Sequence, residues 1–75
     1  MKPNEFIAEG HAPLERINTV LKVDLKSEEF DTIAGLVIGA LDRVPKEGDK
    51  VTISMLNIVV EKMDGPRIEK LRIIK

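Results

Sequence analysis

The chain has 75 residues, with 12 Lys and Arg side chains against 13 Asp and Glu, 43% apolar residues and no cysteine. A chain of this length buries only about 60% of the surface that its unfolded form exposes, which disfavours a large catalytic pocket, and we expect no enzyme activity. The lack of cysteine excludes disulfides, thiolate metal sites and cysteine nucleophiles, and it suits a reducing cytoplasm.

The apolar segments are too short to cross a membrane. The longest runs over residues 33–41, whereas a transmembrane helix needs about 20 residues. Glu5 follows the initial methionine closely and the start lacks an apolar segment of signal-peptide length. We therefore expect one soluble, cytoplasmic domain over residues 1–75, without membrane insertion and with a flexible N-terminus at residues 1–4.

The first predicted elements are a strand and a helix. Residues 5–9 are too few and too apolar for a surface helix and end at Gly10, which favours a strand closed by a turn. Pro13 suits the first position of a helix, because its missing N–H costs nothing there. Apolar residues then recur at helical spacing up to Leu21. Residues 24–29 have no such period and form a connecting loop.

A second helix follows from about Thr32 to Arg43. Asp31 or Thr32 can cap it by accepting a bond from an orphan N–H, and Pro45 prevents its continuation. The breadth of its apolar stripe indicates that it is the central buried helix. This stripe contains Ile33, Leu36, Val37, Ala40, Leu41 and Val44.

Beyond this helix the apolar period changes from 3.6 to 2, which predicts strands. A turn at residues 46–49 leads into two strands joined in the region of residues 55–57. Asp64 and Gly65 are a strong hairpin signal and precede a return strand over residues 66–74. Within that strand Ile68 is out of phase with Leu71 and Ile73, so we expect a β-bulge near Glu69 and Lys70.

The predicted order β-α-α-β-β-β indicates an α+β domain with two helices packed on one face of a largely antiparallel sheet. The apolar stripe of the second helix should pack on apolar strand residues that share one face. These are Val51, Ile53, Ile58, Val60, Leu71 and Ile73.

Four segments of the sequence occur in a familiar order and spacing. They are Gly10 with Pro13-Leu14 and Asn18, residues 30–37, residues 43–49 and residues 63–68. Together they cover nearly the whole chain. The ordered set resembles the CorC/HlyC transporter-associated domain.

The resemblance implies a function and a fold. In that family the domain lies at the cytoplasmic C-terminal end of hemolysin-C and CorC-type proteins, after a pair of CBS domains and often a membrane domain tied to magnesium and cobalt efflux. It therefore implies a non-catalytic regulatory or accessory role, exerted through contact with the CBS-pair and membrane domains. It also implies a fold like the small subdomain of PCMH-type FAD-binding proteins.

That second likeness leaves an alternative function open, a small-molecule binding module for a flavin or an adenine nucleotide. We rank it second and expect no cofactor, because the sequence has no Trp or Tyr to stack a flavin ring. A chain of 75 residues also leaves little room to enclose one.

Several residues are expected to have structural roles. Gly35 and Gly39 lie on one face of the second helix, where their small size favours close packing on the sheet. A phosphate loop would instead need glycines before the helix, next to free N–H groups. The full set of expected structural residues is Gly35, Gly39, Pro45, Gly48, Asp64 and Gly65.

The sequence predicts no metal site. His11 is the only imidazole and has no metal-binding spacing around it. Glu28, Glu29 and Asp31 precede the second helix, where negative charge is favourable by roughly 0.3–1 kcal/mol. Weak Mg²⁺ binding by these carboxylates is the less favoured interpretation.

The candidate contact surface is the basic last strand, with Arg67, Lys70 and Arg72. Residues 1–42 carry four basic and eight acidic side chains, whereas residues 43–75 carry eight basic and five acidic ones. The basic strand could therefore meet an anion or an acidic partner. The alternative is protection of an exposed sheet edge. Nucleic acid is not an expected partner, because no aromatic residues are interleaved with the basic ones.

Overall fold

The computed structural model describes residues 4–75. Its elements follow the predicted order β-α-α-β-β-β, which confirms the changes of apolar period as element boundaries. The elements are β1 (Glu5–Glu9), α1 (Leu14–Leu21), α2 (Ile33–Leu41), β2 (Lys50–Ile53), β3 (Leu56–Asp64) and β4 (Arg67–Ile74).

The four strands form one antiparallel sheet in the order β1-β4-β3-β2. The last strand therefore lies in the interior of the sheet, because β1 returns to pair with it. The edges are β1 and β2. The interpretation as protection of an exposed edge is wrong for Lys70 and Arg72, which pair with β1 on one side and with β3 on the other, whereas Arg67 lies beyond the end of β1.

Both helices cover one face of the sheet, as predicted. Ile33 and Val37 of α2 are fully buried against the strands, and α1 adds Leu14, Ile17 and Leu21 to the same core. The strands contribute five residues that are also almost completely buried. These are Leu56, Ile58, Val60, Leu71 and Ile73.

The second helix is shorter than predicted. Thr32 caps it, with its Oγ1 accepting a bond from the Gly35 N–H at 3.2 Å. The helix ends at Leu41, where Asp42 takes a left-handed conformation with φ 57°. The expected burial of Ala40 and Val44 is wrong. Ala40 is exposed on the outer side of the helix, and Val44 is 64% exposed because the chain has left the helical path.

Two hairpin turns connect the last three strands. The first consists of Ser54 and Met55, both with positive φ (50° and 68°), so the predicted junction at residues 55–57 begins one residue too late and ends inside β3. The second consists of Gly65, with φ 62°, and Pro66. It follows the Asp64 signal, but Pro66 belongs to the turn and not to the strand.

The predicted bulge in β4 is present. Val60 pairs with Leu71 and Lys62 with Lys70, so Glu61 has no partner across the ladder. The register then shifts back, because Met63 pairs with Ile68 and leaves Glu69 without one. This shift brings Ile68 onto the same buried face as Leu71.

The two ends of the described chain lie side by side. The Lys75 N–H donates to the Asn4 carbonyl at 2.9 Å, where β1 begins and β4 ends. The expected flexible N-terminus at residues 1–4 falls outside the described residues except for Asn4. No helix within residues 4–75 is long and apolar enough to span a bilayer.

Candidate functional site

A groove of about 520 Å³ lies at the end of the sheet opposite the two chain ends. It is bounded by the turn after β1, the start of α2 and the β3–β4 hairpin. Its floor is mainly apolar and its rim is charged. The lining residues are Glu9, Gly10, His11, Thr32, Ala34, Gly35, Ile38, Asp64, Pro66, Arg67, Ile68, Glu69 and Lys70.

The groove exists because β1 ends before it reaches the first residues of β4. The β1–β4 ladder stops at the pair Glu9–Lys70, followed by one bond from the Gly10 N–H to the Glu69 carbonyl at 3.0 Å. A Cβ on Gly10 would lie 2.0 Å from the Ile68 carbonyl oxygen, so only glycine fits at this crossing. Beyond it, the start of β4 has no strand on this side.

The first turn of α2 forms one wall, but its N–H groups are already used. Ile33 donates to the Ala12 carbonyl at 3.0 Å and Ala34 donates to the Gly10 carbonyl at 2.9 Å. The Gly35 N–H is held by the Thr32 cap. An anion in the groove would therefore find no free donor in these three N–H groups, although helix N-termini often supply one.

Charged side chains of both signs surround the groove. Arg67 and Lys70 lie on the β4 side, together with Glu69, whose carboxylate lies 3.6 Å from Lys62 Nζ. On the opposite side, His11 Nε2 lies 3.0 Å from Glu9 Oε2. The site is a mixed-charge groove and not a continuous basic surface.

The three residues of the predicted contact surface lie on one face of β4. Arg67, Lys70 and Arg72 alternate with the buried Ile68, Leu71 and Ile73, so their side chains lie on the face of the sheet away from the helices. Arg67 and Lys70 also border the groove at the start of the strand. Arg72 lies farther along the strand and forms an ion pair with Glu61. Lys75 is also engaged elsewhere, because its Nζ donates to the Leu21 carbonyl at 2.6 Å.

Gly35 and Gly39 pack closely, but not on the sheet as expected. A Cβ on Gly35 would lie 3.0 Å from Phe30 Cδ1, and one on Gly39 would lie 2.5 Å from Phe30 Cε2. The two glycines therefore make room for the Phe30 ring along the outer side of α2. Sequence reasoning missed this pairing because the ring precedes the helix and could equally have entered the core.

The loop of residues 43–49 contains an ion pair that the sequence analysis did not identify. Arg43 holds Asp49 through two bonds, Nη1 to Oδ2 at 2.8 Å and Nη2 to Oδ1 at 2.9 Å. The Lys46 N–H also donates to Asp49 Oδ2 at 2.7 Å. Hydrogen bonding to Arg43 is the main reason why the pKa of Asp49 is lowered to about 2.

This 43–49 loop is fastened to β3. Gly48 donates to the Val60 carbonyl and Val60 donates to the Asp49 carbonyl, each at 2.8 Å. The Met63 N–H donates to Glu47 Oε2 at 3.0 Å. The loop thus continues the sheet where β2 has not yet begun. Pro45 is buried and Gly48 has φ 93°.

A second connection that sequence reasoning missed fastens the loop after α1. The Asn18 amide donates to the Leu25 carbonyl at 2.9 Å and accepts from the Leu25 N–H at 2.7 Å. The Asn18 side-chain amide therefore satisfies both backbone groups of Leu25, which is buried, as a neighbouring strand would. Asn18 was noticed only as part of the family pattern, and its side chain has a structural role.

The acidic residues before α2 stay exposed. Glu28, Glu29 and Asp31 all lie at the surface. Within residues 4–75, no group of three or more His, Asp or Glu side chains is arranged to hold a metal ion.

Residues 1–75 match the family described as "Transporter associated domain", CorC_HlyC. The chain belongs to this family. It is 35% identical over 60 residues to the magnesium and cobalt efflux protein CorC of Pasteurella multocida, covering 80% of this chain and 20% of that protein. The chain spans a fifth or less of the length of this relative and of the UPF0053 protein YegH of Escherichia coli.

Solved structures agree with the fold. A Mg²⁺ and Co²⁺ transporter (CorC) associated region from Neisseria meningitidis superimposes with a TM-score of 0.92 at 33% identity, covering 100% of this chain and 93% of that one. The CorC_HlyC domain of a Xylella fastidiosa hemolysin, described in complex with Mg²⁺ and Mn²⁺, gives 0.89 at 27% identity, covering 100% and 91%. These likenesses confirm the predicted family and fold class.

Proposed function

We propose that this chain is a non-catalytic regulatory domain of a CorC-type divalent cation efflux protein. It acts by contact with the CBS-pair and membrane domains of that protein, on the cytoplasmic side. The observation that carries the proposal is family membership over all 75 residues, combined with the small share of each relative that the chain spans. One of these relatives is itself named a magnesium and cobalt efflux protein.

The proposed regulation requires that the domain bind one conformation of its neighbours better than another. Equal affinity for both conformations would shift no equilibrium, however tight the contact. Its effect on export is therefore limited to the difference between the two binding free energies.

The groove chemistry supports a contact role better than catalysis. Its one histidine, His11, is paired with Glu9 at the exposed rim, and 77% of the His11 side chain is exposed. No serine or cysteine is among the residues that line the groove, and the hydroxyl there, that of Thr32, caps α2 by accepting from the Gly35 N–H. A nucleophile next to a general base, as covalent catalysis requires, is therefore not assembled there.

The test is deletion of this segment from the full-length protein that carries it. We expect altered cell resistance to Mg²⁺ and Co²⁺, with the membrane domain still folded and inserted. A point variant, Leu71→Ala, serves as a second version, because truncation of this fully buried side chain should destabilise the domain by about 2–5 kcal/mol without shortening the protein. Wild-type export in both would contradict the regulatory role.

The alternative, flavin or adenine nucleotide binding, is less well supported. The residues that line the groove include no Phe, Trp or Tyr on which a ring could stack. We expect calorimetric titration of this chain with FAD, AMP and Mg²⁺ to give no submicromolar dissociation constant. Mg²⁺ is included because a 27% identical domain is described in complex with Mg²⁺ and Mn²⁺.

A further inference from the structure

The turn between β2 and β3 holds two residues in an unfavourable backbone conformation. Ser54 and Met55 have φ 50° and 68°, the pair of positive values that a two-residue turn of type I′ requires. Glycine takes this conformation readily, whereas a Cβ makes it unfavourable. The strain in this turn therefore comes from the residues that occupy it, and Met55→Gly would relieve part of it.

The Met55 side chain does not stabilise the fold in return. It is 92% exposed, more than the other exposed large apolar side chains of residues 4–75, which are Ile7, Val20 and Val44. Single exposed apolar side chains are common and need no explanation. Met55 differs from them because its backbone is also strained, and strained residues cluster at functional positions.

The tip of this hairpin lies at the end of the sheet where both chain ends lie. The strand β3 begins directly after Met55, and Asn57 near its start pairs with Ile74 at the end of β4. Lys75 follows Ile74, and its N–H donates to the Asn4 carbonyl at 2.9 Å. Met55 therefore projects from the same end of the sheet as Asn4 and Lys75.

The helix α1 ends there as well. Lys75 Nζ donates to the carbonyl of Leu21, the last residue of α1, at 2.6 Å. Val20, one residue earlier, is 60% exposed. Two of the four exposed large apolar side chains of residues 4–75, Val20 and Met55, thus lie at the end of the domain that carries both chain ends.

Chain continuity identifies what adjoins this end in a longer protein. The chain spans a fifth or less of the length of the CorC and YegH relatives. Any further domain of such a protein joins residues 4–75 through the chain before Asn4 or after Lys75, so it begins beside Met55. Methionine suits a contact with that domain, because its unbranched, polarisable side chain adapts to irregular apolar pockets.

We propose that Met55 inserts into an apolar pocket of the domain joined to this chain, with Val20 at the edge of the same contact. The strained turn holds the thioether side chain outward before the contact forms, which reduces the entropy that binding loses. This inference rests on the proposed function and names the residues through which the regulatory contact is made.

Methionine oxidation by hydrogen peroxide, followed by mass spectrometry, measures whether Met55 is covered. Peroxide converts an accessible thioether to the sulfoxide, and Met63, which packs against the core, is the internal reference. In the isolated chain we expect Met55 to react faster than Met63. In the full-length protein that carries this segment, Met55 should become slower than Met63, whose own rate should stay the same.

The variant Met55→Gly separates the contact from the stability of the domain. In the isolated chain it should raise the thermal midpoint by about 2–8 °C, because it relieves the left-handed strain. In the full-length protein it removes the inserted side chain and should alter resistance to Mg²⁺ and Co²⁺ in the same direction as deletion. Met55→Leu keeps an apolar side chain and should retain wild-type resistance. So should the matched control Val44→Ser, at an exposed apolar position in the 43–49 loop.

The proposal is overturned if nothing, or a different partner, covers Met55. Equal oxidation of Met55 in the isolated chain and in the full-length protein would show that the tip stays uncovered. Protection of the isolated chain by vesicles of phosphatidylcholine and phosphatidylglycerol would assign the tip to a lipid surface. Protection that grows with the concentration of the isolated chain would assign it to a second copy.

The variants distinguish failure of this contact from failure of the proposed function. Wild-type resistance of Met55→Gly, where deletion does have an effect, would reject the contact and leave the regulatory role standing. A lower thermal midpoint for Met55→Gly would also reject it, since Met55 would then stabilise the isolated fold. Deletion without effect would reject the regulatory role, whereas oxidation of Met55 would still report whether the contact exists.

Discussion

The two long edges of the β3–β4 hairpin are treated differently by the rest of the chain. On the β3 side, the 43–49 loop continues the sheet and closes the edge with Gly48, Asp49 and the Glu47 carboxylate. On the β4 side, the neighbour strand leaves at Gly10 and a groove remains. The comparison teaches that the open side of this hairpin is confined to one place, where the chain crosses on a glycine.

The open side depends most strongly on one crossing, so the largest effect is expected for Gly10→Ala. The new Cβ would lie 2.0 Å from a backbone carbonyl that cannot move without shifting β4. We expect destabilisation of about 3 kcal/mol or more, the upper part of the range for overpacking. Urea denaturation measures it. Gly65→Ala, where nothing lies within 4 Å of the new Cβ but φ is 62°, is the control for backbone strain without collision and should cost only about 1–2 kcal/mol. Equal midpoints for Gly10→Ala and wild type would contradict the account.

On the closed side the glycine requirement is conformational. Gly48 has φ 93°, and an added Cβ would meet nothing within 4 Å. We expect Gly48→Ala to cost about 1–2 kcal/mol, because a left-handed backbone is unfavourable for residues with a Cβ. Thermal denaturation of Gly48→Ala beside Gly10→Ala tests the contrast between strain and collision. A larger loss for Gly48→Ala would reverse the comparison.

The sequence predicted the elements of the fold but not the order of the strands in the sheet. The period of apolar residues located all six elements, and the phase break at Ile68 located the bulge. The strand order was beyond the sequence, because no local pattern states that β1 returns to the last strand. For that reason Lys70 and Arg72 could be interpreted as protection of an exposed edge, although β4 lies in the interior of the sheet.

The closed edge was missed for a related reason. Arg43 and Asp49 are ordinary surface residues in the sequence, and their pairing appears only once the loop has folded back. The turn at Ser54 and Met55 is also hard to predict. Positive φ at two successive turn positions is usually marked by Asn or Gly, and neither is present at these positions.

The closure of the β3 side should weaken in acid. The pKa of Asp49 is lowered from its ordinary 3.8 to about 2 by Arg43, so the carboxylate binds protons less readily in the folded chain. Its contribution to stability is therefore fully present above about pH 4 and is lost as the pH falls toward 2. We expect the difference in denaturation midpoint between wild type and Asp49→Asn to shrink over this interval. A difference that stays constant from pH 5 to pH 2, or grows, would show that the Arg43 pair does not stabilise the loop.

The smallest expected effect is also the most direct comparison of the two edges. In the wild type, the Met63 N–H donates to Glu47, and its ladder partner Ile68 belongs to a pair that exchanges no hydrogen bonds. The backbone hydrogen bonds outside the ladders of residues 4–75 include no acceptor for the Ile68 N–H, so hydrogen exchange should be slower at Met63. Glu47→Ala removes the acceptor and should cost about 0.5–1.5 kcal/mol, the net value of one hydrogen bond. Exchange at Met63 should then rise toward the rate at Ile68, while Leu71 in the shared core keeps its protection. If Ile68 exchanges as slowly as Met63 in the wild type, its N–H has an acceptor after all, and the two edges do not differ as described.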